Sequence, residues 1–409
     1  MALLAFWNAR PEEVRTLSLE QVVSAAGDGR LRDGSECARE FRAFLADADA
    51  DMLARYVAEC IEEAGGRRSR NGFDGSGLAL QDVVNEIGRR LDFNVEDGLY
   101  QGRRDAIGYD GIWRDGQGGD LVVEVKTTEA YSIDLNVIEA YRQRLIDAGR
   151  VSEQASILFV VGRKETGALE AQIRGSRHAW TMRMIGIAAL VRLLEVKVNA
   201  EAAAVAAQIR ALLRPVEYTR LDGIVDLVFR VRQDVEEATS EAELLEDATS
   251  SGRRESRRQA SGLPAPSTES FREAAAERIS RRLGVRLVRR RRSLFETADG
   301  SARVVVAVSK RYARSYQAYW YAYYDTQKAW LEEAQNAWIA LCAADCGDLY
   351  LVPAAEIARH LDRMNVTNRE ADRTYWHLLV RLVDDRFVLV TGDTEISLAK
   401  WKLDESPTA

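Results

Sequence analysis

The chain has 409 residues and a net charge of −7, with 46% hydrophobic and 30% charged residues. That length suits two or three domains, each able to bury a core, and the acidic balance excludes indiscriminate polyanion binding while leaving room for a local basic groove. No run approaches the roughly 18 apolar residues of a membrane helix, and four cysteines without a CxxC pair, beside three histidines, argue against structural zinc and for reduced thiols in a cytoplasm.

The opening "MALLAFWNARPEEV" has no basic lead and no small-residue cleavage site, so no signal peptide is expected. Residues 1–64 read as a helical region: "SLEQVVSAA" and "DADMLARYVAECIEEA" carry apolar residues at helical spacing behind Ser or Asp caps. The Gly- and Arg-rich "GGRRSRNGFDGSG" (65–77) reads as a loop, "LALQDVVNEIGRRL" (78–91) as an amphipathic helix, and "FNVEDGLYQG" as a strand and turn. A hairpin over 106–126 comes next, then a helix over 132–149 capped by Ser132 or Asp134. "ASILFVVG" (155–162) is the continuous apolar run of a strand covered on both faces. The alternation continues with a helix at "TGALEAQIRGSRHAW", a strand beginning "TMRMIGIAAL" and a helix at "EAAAVAAQIRALL", which together predict a mixed α/β sandwich.

A further helix, "YTRLDGIVDLVFRVRQDVEE", leads into an abrupt change of composition. Seven acids and no bases lie between Asp234 and Asp247, followed by an aperiodic stretch of Ser, Gly, Pro and Arg, so 234–268 reads as a linker. Beyond it, residues 271–292 hold nine Arg against two Glu, and strands, an aromatic run "YQAYWYAYYD" and two helices form a second α/β domain. The expected divisions are 1–64, a core over 65–216, a helix and linker over 217–268, and a C-terminal domain over 269–405.

The chemistry concentrates in "YDGIWRDGQGGDLVVEVKTT" (109–128). Side chains alternate along a strand, so Val122, Glu124 and Lys126 share one face. The Gly-rich turn folds the preceding strand back, placing Asp110 roughly opposite Glu124. Charged groups in an apolar strand are costly unless paired or metal-bound. Two carboxylates suit magnesium, which keeps waters for chemistry, and a neighbouring lysine can serve an attacking water. A structural ion cluster is the other reading of the same three residues.

The ordered set of a helix with Glu86, a strand, "GYDG", a turn, "VEVKTT", a helix and "SILFVVG" resembles the PD-(D/E)XK nuclease superfamily, especially Mrr-like and other restriction endonuclease-like proteins. The resemblance covers roughly residues 75–196, with Tyr109 where the founding motif has proline. It implies a restriction endonuclease-like mixed sheet flanked by helices. It also implies that Asp110 and Glu124 bind Mg2+, or Mn2+, that Lys126 serves the attacking water, and that Glu86 supports the metal from the helix. Asp82, one turn earlier, could stand in for Glu86.

Further candidates are Thr127, Thr128 and Gln101 for a phosphate or water, and Arg174, Arg177 and His178, whose spacing would give one helix face for a nucleic-acid backbone. Arg289, Arg290, Arg291 and Arg292 would attract phosphates. Lys310 has Val308 where a carboxylate would be needed, so the second domain reads as binding rather than cutting. Tyr316, Tyr319, Trp320, Tyr321, Tyr323 and Tyr324 could stack bases, or fill a core at every other position. Tyr375 and Trp376 read as structural.

The function expected is therefore a magnesium-dependent endonuclease acting on DNA, of restriction or anti-phage type, in the cytoplasm, with a C-terminal target-recognition domain. Cutting both strands would make a homodimer useful. The rival readings are a non-catalytic nucleic-acid- or partner-binding protein, and an RNA-directed nuclease of the same fold.

Overall fold

The computed structural model describes residues 2–64, 75–101, 108–116, 118–127, 133–162, 167–200, 203–214, 268–309, 311–313, 317–369, 373–383, 386–392 and 394–403. The helix expected over 218–237 lies outside them, as do the expected linker apart from Thr268, and Thr128, Ser132, Lys310 and Tyr316. Within them the fold is mixed α/β. The chain divides into two compact units, one built on the elements before residue 199 and on 204–213, the other on those from 268 onward.

The first unit opens with five helices: α1 (Ala2–Ala9), α2 (Pro11–Arg15), α3 (Leu19–Ala25), α4 (Glu36–Asp47) and α5 (Ala50–Ala64). Ser18 caps α3 through a reciprocal box with Gln21, and Ser35 caps α4, so both starts arise from local sequence. The helical region expected over 1–64 consists of these five helices, and it shares a compact unit with the first sheet. The reason lies in α6 (Ser76–Arg90), whose Arg90 donates to the main-chain oxygens of Leu45, Ala46 and Ala48 at the end of α4.

Strands β1 (Asn94–Asp97), β2 (Gly111–Arg114) and β3 (Leu121–Lys126) form an antiparallel meander. After α7 (Leu135–Asp147), capped by Asp134, β4 (Ser156–Val161) returns parallel to β3. Helix α8 (Gly167–Arg174) leads to β5 (Met182–Gly186), parallel to β4, and then to α9 (Ile187–Asn199) and α10 (Ala203–Leu213). The sheet order is β1-β2-β3-β4-β5. All six residues of β4 are buried, as its unbroken apolar run requires.

One face of the sheet packs Ile112, Val122, Ile157 and Phe159 with Ile138 and Leu145 of α7. On the other, α6 approaches so closely that a Cβ on Gly88 would lie 2.5 Å from the Trp113 ring. Trp113 is fully buried and stacks at a tilt on Phe93 with ring centres 5.4 Å apart. Removing such a ring costs roughly 3–5 kcal/mol.

The second unit comprises α11 (Thr268–Leu283), β6 (Val288–Arg289), β7 (Leu294–Glu296), β8 (Ala302–Ser309), β9 (Arg311–Ala313), β10 (Gln317–Tyr324), α12 (Asp325–Glu332), β11 (Asn336–Ala343), β12 (Asp348–Pro353), α13 (Ala354–Ala358), β13 (Val366–Arg369), β14 (Arg373–Val383), β15 (Arg386–Thr391), β16 (Thr394–Ser397) and β17 (Lys402–Leu403). Two sheets run β16-β15-β14-β10-β9, with β13 also on β14, and β17-β12-β11-β8-β7-β6. Their inner faces share one core, in which Tyr319, Tyr321, Tyr323, Leu378 and Val380 meet Val305, Ile339, Leu341 and Val352. The alternation along β10 therefore buries every other aromatic, while Trp320 and Tyr324 are half-buried on the opposite face. There Trp320 donates from Nε1 to His377 Nδ1 at 2.9 Å, and His377 Nε2 meets Thr367 Oγ1 at 2.7 Å.

Candidate active site

Gly111 pairs with Val123 in the β2–β3 ladder, and the amide of Asp110 donates to the carbonyl of Val123 at 3.0 Å. That register, carried one residue further, sets Asp110 across from Glu124. The two strands are tied at this point by the Asp110 carboxylate itself, whose Oδ2 accepts the Val125 N–H at 2.6 Å. Lys126, two residues beyond Glu124 on the same strand face, donates to Glu124 Oε1. The Glu124 side chain is 13% exposed and that of Lys126 35%, so the pair lies at the border between core and solvent.

Burial, and then the charge of Glu124, push the Asp110 carboxyl up to about 7, against the pull of the Val125 amide and of Lys126. Two hard carboxylates held together at that cost suit a divalent cation such as Mg2+, which needs only one or two of them and completes its shell with water. Among the described residues, no group of three or more His, Cys, Asp and Glu side chains is placed to hold a metal ion. The donors present fit a cation bound by Asp110 and Glu124 alone.

The helix contributes differently from what the sequence suggested. Glu86 is 2% exposed and turned to Arg90, whose Nε lies 2.7 Å from Oε1, with Arg89 at 3.6 Å. Its partners are these arginines and not Asp110, Glu124 or Lys126, and Arg90 in turn ties α6 to the end of α4. Asp82 is likewise engaged, by Arg42 at 2.9 Å and by the Tyr100 hydroxyl. Burial raises its carboxyl to about 6 despite both contacts. The α6 residues that reach Asp110 are instead Gln81 and Asn85, whose carboxamides donate to its main-chain oxygen at 3.1 and 2.9 Å. Sequence reasoning passed over them; the signal available was two carboxamides at i, i+4 on an otherwise apolar face.

Of the other candidates, Thr127 directly follows β3 and is half-buried, while Gln101 is exposed with its amide on Asp33 Oδ2 at 3.4 Å. Arg174, Arg177 and His178 do not share a helix face, because α8 ends at Arg174. Gly175 follows, and Ser176 Oγ donates to the Ile173 carbonyl at 2.8 Å, which ends the helix. Arg177 and His178 sit in the ensuing turn, both on Asn136 Oδ1, at 3.2 and 3.1 Å, in a surface hollow of about 690 Å³. Arg174 and Arg177 are exposed, and two residues past His178 stands Trp180, 73% exposed, which the sequence reading also missed.

The arginines expected to attract phosphates have partners within the second unit. Arg289 pairs with Glu269, Arg290 lies 2.8 Å from Glu296, and Arg292 is 6% exposed. Short strands β6 and β7 fold the run back on itself, which sets Arg290 against its own hairpin's glutamate. Arg291 is half-buried, and its carbonyl accepts from Arg289 Nε at 3.3 Å.

No helix among the described residues is long and apolar enough to cross a membrane. The chain matches no protein-family model and no curated protein, so the reading of the site stands on its geometry and on the order of its motifs.

Proposed function

We propose that the protein is a metal-dependent nuclease of the restriction endonuclease-like PD-(D/E)XK type, hydrolysing phosphodiester bonds in DNA, with a role in restriction or anti-phage defence. The observation that carries the reading is the juxtaposition of Asp110, Glu124 and Lys126 across the β2–β3 register. The order of elements supports it: a helix, a three-stranded antiparallel meander, a helix, and a strand parallel to the one bearing the acid and lysine.

In this mechanism Asp110 and Glu124 would hold the cation, Mg2+ or Mn2+. When bound, it supplies Lewis acidity toward the phosphoryl oxygens. Lys126, steered by its contact with Glu124, would orient the attacking water in line with the P–O bond that breaks and stabilise the negative charge that develops on the non-bridging phosphoryl oxygens, while the leaving oxygen takes its proton from solvent. Arg174 and Arg177 offer cations to the backbone of the polymer, and Trp180 offers a ring face to a base. The second unit is assigned target recognition, with the cation-binding acids confined to the first.

The Lys126–Glu124 pair would also be present in a non-catalytic binding protein with a structural ion cluster, which is the second reading. Purified protein incubated with plasmid, phage DNA and RNA, with Mg2+ or with chelator, separates them. Cleavage that needs the metal and disappears in Asp110→Ala supports the nuclease. Cleavage of RNA alone transfers the reading to an RNA-directed enzyme, and binding without cleavage of any polymer favours the ion cluster.

A further inference from the structure

We propose that Gln81 and Asn85 are positioning residues for Asp110: their carboxamides grip its main-chain carbonyl and thereby hold its carboxylate beside Glu124 for a divalent cation. The inference rests on the cation site proposed above.

Three donors from separate parts of the chain converge on one oxygen. Gln81 Nε2 at 3.1 Å, Asn85 Nδ2 at 2.9 Å and the Gly98 amide at 3.0 Å all donate to the Asp110 carbonyl. A carbonyl offers two lone pairs, so burial alone does not call for a third donor. Both side chains are buried, Gln81 at 4% exposure and Asn85 at 0%. Asn85 is also held from behind, since its Oδ1 accepts the Trp113 indole N–H at 3.0 Å. That contact fixes which end of the carboxamide faces Asp110.

The neighbouring backbone is shaped to let the clamp close. A Cβ on Gly111 would lie 2.2 Å from Asn85 Oδ1, and one on Gly98 would lie 2.0 Å from the Tyr109 carbonyl. Neither position admits a side chain with α6 and the turn after β1 this close to Asp110. At its other end Asp110 is fixed by the Val125 amide at 2.6 Å. The residue is thus held by α6 through its main chain and by β3 through its carboxylate.

Without such a hold, two neighbouring carboxylates would relax apart whenever no cation separates them. Neutral carboxamides can do this because they donate; an ionised carboxylate only accepts and would repel the same carbonyl. The acids of α6, Asp82 and Glu86, are accordingly turned to arginines, while Gln and Asn occupy the positions against Asp110. Groups that orient a metal ligand typically alter metal affinity about 10- to 100-fold when lost.

The test is calorimetric titration of the chelator-stripped full-length protein with Mn2+, alongside its metal-free melting temperature. Gln81→Met keeps the volume and removes the donor. It should weaken Mn2+ binding about tenfold, with a metal-free melting temperature equal to or above that of the wild type. Asn85→Ala, which also strands the Trp113 indole, should lose affinity and melt lower. Equal Mn2+ affinity in Gln81→Met and wild type overturns the assignment. So does an affinity loss accompanied by a large drop in metal-free stability, which would make Gln81 a packing residue. If the wild type binds no Mn2+, or Asp110→Asn binds it equally well, the cation site itself fails, and the clamp has no ligand to serve.

Discussion

The amide of Val125 donates to Asp110 Oδ2 at 2.6 Å, and this bond joins the acid ahead of β2 to the strand that carries Glu124 and Lys126. Together with the α6 carboxamides on the Asp110 carbonyl, it keeps the Asp110 and Glu124 carboxylates in neighbouring positions. Their repulsion in the absence of a cation is therefore built into the fold, and it has a signature in pH.

The folded-state pKa of Asp110 is raised from 3.8 to about 7. In the metal-free protein the folded state keeps a proton that the unfolded chain has already lost between about pH 4 and about 7. Stability linked to Asp110 thus falls as pH rises through that window, and is fully present only below it. In chelator, the melting temperature of Asp110→Asn should decline less over this range than that of the wild type. Glu124→Gln should move the window downward, because it removes the second cause of the shift. Superimposable pH profiles for wild type and Asp110→Asn would refute the linkage.

Glu86 is expected to matter for stability and not for the cation. Its carboxylate and Arg90 are both almost fully buried and paired at 2.7 Å. Removing one partner of such a pair leaves a buried uncompensated charge and costs roughly 3–5 kcal/mol. Denaturant unfolding of Glu86→Ala should report a loss of that order, while Mn2+ affinity below the melting transition stays at the wild-type value. Normal stability with lost Mn2+ binding would return Glu86 to the metal.

Trp180 is 73% exposed, in a turn fixed by the Thr181 amide on the His178 carbonyl at 3.0 Å. Its ring is presented to solvent and supports no core. Trp180→Ala should leave the melting temperature unchanged and weaken binding of single-stranded oligonucleotides by roughly 1–3 kcal/mol, read by fluorescence anisotropy. Unaltered affinity would mean that the ring does not meet the polymer.

The side chains of Arg290 and Glu296 are 15% and 14% exposed, and Arg303 approaches the same glutamate at 2.9 Å. Arg290→Gln should therefore lower the melting temperature and leave the slope of nucleic-acid affinity against salt as it is in the wild type. A slope reduced by about one counterion would mean that Arg290 meets a phosphate after all.

The sequence by itself determined the elements and the acid–lysine arrangement. Period-two alternation put Glu124 and Lys126 on one face, the Gly-rich turn returned β2 to β3, and Ser18 and Asp134 marked helix starts by their capping chemistry. These are local effects, fixed by residues within a few positions of one another. Which polar side chain of α6 faces the site was decided only by tertiary packing. Gln81, Asp82, Asn85 and Glu86 all lie on a buried helix, and nothing within that stretch says that Arg42 and Arg90 take the acids and Asp110 takes the carboxamides. The same holds for the arginines at 289–292, whose charge was legible but whose partners, Glu269 and Glu296, depend on how α11 and the β6–β7 hairpin fold. Charge is written in the chain; which opposite charge lies within reach is a property of the packed structure, because desolvation makes every buried ion find a partner wherever the fold supplies one.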